Sequence, residues 1–238
     1  MKLYKMLVLL FMYSVCIPLA VFSQKGDAMP DETWALGKLL IRSSQKLDQE
    51  IQEWEKMNNT SRRNFAIGIL YTHRYILTEK RSNAFDARDY LENAVSGIGR
   101  TPLWLAYRGM AASFIAGIRT IFGGGSLDTM EKCFDEIPKE YKGWYVRFLR
   151  AVTLAEVLDK LPRLFFYTDL LDKAEQYAKG DIAYVRKLYA EQNTGGISDN
   201  RKNGNTMSGY LNESLPDSMR VPEEIILRIE QLPGDFAK

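Results

Sequence analysis

His73 is the sole histidine in the chain of 238 residues, so it is the first residue to weigh as a proton-transfer group or metal ligand. It follows Leu70 by three positions and precedes Leu77 by four, which sets it beside the apolar stripe of a helix. That position favours a core or boundary histidine satisfied by its neighbours. A catalytic base would need a nucleophile or carboxylate partner, and the sequence singles out none. A metal site has little to draw on either, because there is no second histidine and no paired cysteine. The acidic pairs Asp31-Glu32, Glu131-Asp135 and Asp169-Asp172 have ordinary helix-surface spacing.

Cys133 lies between Met130 and Phe134 on an apolar helix face, the setting of a buried and inert thiol. The triplet Gly123-Gly124-Gly125 is followed by Ser126 but has no lysine at phosphate-loop spacing and no strand before it, so it reads as a connector. No catalytic residue, cofactor site or metal site is therefore expected. Binding is better provided for. Trp34, Trp54, Trp104, Trp144 and the run Phe165-Phe166-Tyr167 are the side chains that can line a groove, with packing between helices as their alternative use. The expected groove or partner-binding set is Trp104, Arg108, Trp144, Phe165, Phe166 and Tyr167, with Arg108 reaching a carboxylate or the solvent rim.

The elements that must position these residues are helices. Leu36, Leu40, Leu47, Ile51 and Trp54 recur on one stripe and predict a helix from Pro30 to about Met57. Helical pairs follow, with first members starting near Arg62, Pro102 and Lys142, and second members starting near Asn83, Ser126 and Thr168, each read as an N-cap. Several positions superimpose at a 40-residue step, such as Phe65, Leu105 and Tyr145, or Ile69, Gly109 and Leu149. A helical hairpin cannot bury its apolar face alone, so three of them imply a stack with a shared core. Ala106, Gly109, Ser113 and Gly117 form a row of small residues that lets a neighbouring helix approach closely. Gly180-Asp181 is expected to close the third pair and start one more helix.

Residues 1–23 read as a secretory signal peptide: Lys2 and Lys5 come first, then the uncharged Met6 to Val21, with Val21 and Ser23 at the cleavage positions. The rival is a retained anchor, since the apolar run approaches the roughly 18 to 20 residues that span a bilayer. Removing the leader leaves 30 basic against 30 acidic side chains, a balance with no footprint for nucleic acid. It also leaves Cys133 as the one remaining cysteine, so no intramolecular disulfide can form. Residues 193–220 are rich in Asn, Gly and Ser and read as a flexible linker. Residues 221–233 read as an amphipathic helix with Ile225, Ile226, Ile229 and Leu232 on one face, which either caps its own array or binds a partner.

The paired pattern resembles the tetratricopeptide-repeat superfamily, in particular divergent TPR-like helical proteins that bacteria export. The matching residues are Gly68 with Tyr71 and Gly109 with Ala112 in first helices, and Ala87, Leu91 and Ala94 in a second, together with the segments LAYRGMAASFIAG and YVRFLRAV. The step of 40 residues exceeds the roughly 34 of that superfamily, so a HEAT-type or irregular helical bundle stands beside it. The fold class expected is all-α, stacked hairpins over residues 30–192. The resemblance implies a non-catalytic scaffold or binding module in the periplasm or cell envelope, with a protein or peptide partner, no nucleic acid, and membrane contact only if the N-terminal segment is retained. The alternatives are a ligand-binding subunit of an envelope transport system and an enzyme that uses His73.

Overall fold

The computed structural model describes residues 29–118, 124–160, 168–194, 220–233 and 236. The chain divides into two units, Met1–Pro30 and Asp31–Lys238, and the described helices all belong to the second. The leader, nearly all of the linker and Phe165-Phe166-Tyr167 lie outside the described residues. Among those described there are nine helices and no strand: α1 Glu32–Leu39, α2 Ser44–Glu55, α3 Ser61–Thr78, α4 Arg81–Ile98, α5 Pro102–Ile118, α6 Gly124–Asp135, α7 Trp144–Lys160, α8 Thr168–Thr194 and α9 Glu223–Glu230. The protein is all-α. No described helix is long and apolar enough to cross a membrane.

Local chemistry sets the boundaries. Asp31 caps α1 by accepting from the Trp34 amide at 2.8 Å, and Thr60 caps α3 through the Arg63 amide at 3.2 Å. Thr101 accepts from the Trp104 amide at 3.2 Å, with Pro102 at the first helical position, as the Thr-Pro pair predicts. The expected single helix from Pro30 to Met57 is instead two. Ser43 is extended and accepts from the Lys46 amide, so the chain breaks at residues 40–43 and starts again. Asn83 is no cap: α4 begins before it, and its side chain is buried against Thr78 and Arg74. Ser126 likewise falls inside α6. Gly180 does not end a helix either, for α8 runs through it without interruption. An interior glycine costs only about 1 kcal/mol relative to alanine, less than the burial of Ala178, Ile182 and Val185 on either side returns.

α3 packs with α4, α5 with α6 and α7 with α8, while the first members α3, α5 and α7 also pack on one another in turn. α1 touches both α3 and α7, and α9 lies against α8. One large core runs through these contacts, and a smaller one joins Leu47, Ile51 and Trp54 of α2 to Ala66, Ile67 and Leu70 of α3. α9 docks on its own domain: Ile225 and Ile229 are fully buried, and the Arg228 side chain donates to the Leu39 carbonyl at 3.1 Å.

The small-residue row of α5 serves the packing expected of it at three positions. A Cβ on Gly109 would stand 2.6 Å from Cε1 of Phe134, so only glycine lets α6 lie this close. Ala106 and Ser113 are buried as well. Gly117 faces open space.

Candidate functional site

The clearest concavity is a cavity of about 450 Å³ where the first helices of the three pairs converge. α3 contributes His73, Ile76 and Leu77; α5 contributes Met110 and Phe114; α7 contributes Phe148, Leu149, Val152, Thr153 and Glu156. Leu39, Ile41 and Arg42 close one part of the wall from the end of α1, and Glu224, Leu227, Arg228, Gln231 and Leu232 come from α9 and the turn after it. The break after α1 is what brings Ile41 and Arg42 there.

His73 is held by a hydrogen-bond chain that takes one side chain from each first helix. Its Nε2 lies 2.7 Å from the Tyr107 hydroxyl, which lies 2.8 Å from the hydroxyl of Tyr145. All three are buried, with Tyr107 inaccessible and His73 2% exposed. Burial is the main force on each ionisation. It pushes His73 down to about 3, with the charges of Arg228 and Lys38 adding to it and the Lys38 carbonyl opposing. It pushes the Tyr107 and Tyr145 hydroxyls up, so the chain is neutral throughout. The Lys38 carbonyl acts on the ring from nearby, but among the described residues no full hydrogen bond closes on Nδ1 of His73.

Glu32 anchors α1 to this arrangement. Its carboxylate accepts from the Tyr141 hydroxyl at 2.5 Å and from the backbone amides of Val146 and Tyr145, so it caps the start of α7 from another helix. Burial raises its pKa despite those bonds. The Asp31-Glu32 pair is thus two helix caps. Glu131 and Asp135 both pair with Lys173. No group of three metal-ligating side chains occurs among the described residues. Cys133 is buried, and burial raises its thiol pKa.

Of the residues singled out from sequence for a groove, Trp104, Arg108 and Trp144 lie among the described residues. Trp104 is buried in the core and donates from Nε1 to the Leu91 carbonyl at 2.8 Å. Trp144 is buried edge-on to Tyr145, with ring centroids 5.7 Å apart. Arg108 does reach a carboxylate, Glu92 of α4, at 2.6 Å. None of the three lines the cavity, whereas His73 does. Sequence reasoning missed Arg42, Tyr107, Phe114, Tyr145 and Arg228. The 40-residue step placed Tyr145 at a repeat-equivalent position, and Arg228 shares its helix with Ile225 and Ile229, but nothing local joins these residues to His73. Comparison with protein-family models, with curated proteins and with solved structures gives no match to this chain.

Proposed function

We propose that the chain is an exported TPR-like helical module of the bacterial envelope that binds a ligand or partner segment in the groove between α3, α5, α7 and α9 and carries out no chemistry on it. The order of the leader residues supports export. The succession of hairpins whose first members pack on one another supports a repeat stack. The observation that carries the reading is the cavity itself. At about 450 Å³ it falls within the ~300–1,000 Å³ typical of small-molecule sites, and most of its lining is apolar. A catalytic role for His73 has weaker support, because a ring whose pKa is about 3 is a feeble base at neutral pH and its bonded partner is a tyrosine hydroxyl. The transport-subunit alternative would use the same groove, without the tryptophans.

The test is titration of the chain from Gln24 onward with Nile red, a neutral apolar dye, beside Val152→Trp, which fills the groove from α7. Uptake by the parent and loss of about tenfold or more in affinity for the variant, at unchanged helical circular dichroism, is the expected result. No uptake, or equal uptake by both proteins, refutes the groove.

A further inference from the structure

The groove contains an electrostatic imbalance at one end. Arg228 is half-buried and spends one donor on the Leu39 carbonyl. The charge that acts on it is Arg42, a like charge, and no carboxylate pairs with it among the described residues. Arg42 is exposed and forms no ion pair among the described residues. The two wall carboxylates do not answer these cations. Glu156 pairs with Lys160 at 3.5 Å, and Glu224 makes no ion pair with Arg228 although the two are four residues apart on α9. Burial and the neighbouring Arg42 both press the Arg228 pKa down, the signature of a cation held without a counter-ion.

The rest of the wall has the opposite need. Ile76 is 40% exposed and Leu227 48% exposed, two of the few large apolar side chains left in solvent among the described residues, and both line the cavity beside Leu77, Phe114 and Val152. A volume of about 450 Å³ suits one acyl-length tail rather than a two-chain lipid or a folded segment. The acids in the wall disfavour a doubly charged phosphate head.

We propose that the groove binds a single-tailed, fatty-acid-like carboxylate, with the carboxylate between Arg42 and Arg228 and the tail along Leu77, Phe114 and Val152. The assignment rests on the proposed binding groove and deepens it. A guanidinium is well suited to the head, because its parallel N–H groups match the two oxygens of a carboxylate. The ring of His73 lines the same cavity, close enough for the Arg228 charge to act on it.

The experiment is calorimetric titration of the chain from Gln24 onward, in low salt and below micelle-forming concentrations, with decanoate, decanol and decyltrimethylammonium. Decanoate should bind about tenfold or more tightly than decanol, weaken as salt rises, and outdo the cation by more still. Arg42→Gln should lower decanoate affinity by about fivefold or more relative to its effect on decanol affinity. Arg42 is the deciding position, because Arg228→Gln also removes the bond to Leu39 and can loosen α9. Equal affinity for decanoate and decanol, or an Arg42→Gln protein that binds decanoate as the parent does, overturns the carboxylate assignment and leaves the groove. Failure of Nile red to bind overturns both.

Discussion

Two buried polar clusters sit in the same fold and differ in how completely they are satisfied. Between α7 and α8, Asp181 is 1% exposed and receives Nε of Arg147 at 2.7 Å, Nε of Arg150 at 2.7 Å and Nη2 of Arg150 at 3.0 Å. Arg150 also donates to the Phe134 carbonyl at 3.2 Å, and the two guanidinium groups lie over the rings of Tyr184 and Tyr177. On the groove side, the His73-Tyr107-Tyr145 chain carries no charge, and among the described residues its Nδ1 end meets only the Lys38 carbonyl, without a full hydrogen bond. A closed set of partners is what a structural cluster needs, because each unmet buried group costs about 1–3 kcal/mol. The less completely bonded end is the one that faces the proposed ligand groove.

The charged cluster should be the more fragile of the two when a partner is removed. Asp181→Ala leaves Arg150, with its side chain 3% exposed, as a buried cation without its counter-charge. The expected loss is about 3–5 kcal/mol of unfolding free energy in a urea titration, and a loss below about 1 kcal/mol would mean that the cluster is wetter than its burial implies.

Sequence reasoning reached the helices and their pairing but not this cluster. The periods of three and four, the Thr101-Pro102 start and the 40-residue step are local or evenly spaced signals, and they survive as α3 to α8. Asp181 reads beside Gly180 as a helix break because glycine and aspartate together favour one in isolation. What overrides that preference is a pair of arginines some thirty residues earlier on α7, a contact no window contains. The site was harder still. Its walls come from the end of α1, from three helices and from α9, and the tryptophans that suit a groove by type are the large apolar side chains the core consumes.

The neutral cluster should betray itself through pH. His73 has a folded pKa of about 3 against 6.5 for the free side chain, so as pH falls below 6.5 the unfolded chain takes up a proton that the folded one refuses. Stability from this residue is therefore intact above pH 6.5, falls by about 1.4 kcal/mol per unit below it, and levels off near the folded value. Between pH 7 and pH 5 the expected loss is about 2 kcal/mol in denaturant unfolding. His73→Gln should lack that slope. Glu32, whose raised pKa favours the folded state as pH falls, acts in the opposite sense, so the difference between parent and variant is the quantity to compare. Equal slopes in the two proteins would mean that His73 takes up its proton in the fold as readily as in the unfolded chain, and that burial does not hold it neutral.

The smallest effect separates a scaffold hydrogen bond from a site one. Tyr145→Phe removes the far end of the chain and leaves Tyr107 bonded to His73, so it should cost about 0.5–1.5 kcal/mol, the net worth of one neutral hydrogen bond. Arg228 keeps its bond to the Leu39 carbonyl in that variant, and a neutral tyrosine hydroxyl contributes no counter-charge to it. Tyr145→Phe therefore leaves the cationic end of the groove in place, so decanoate affinity should hold while stability falls. A fall in both together would place Tyr145 on the ligand's side of the chain, so that the open cluster reaches across to α7.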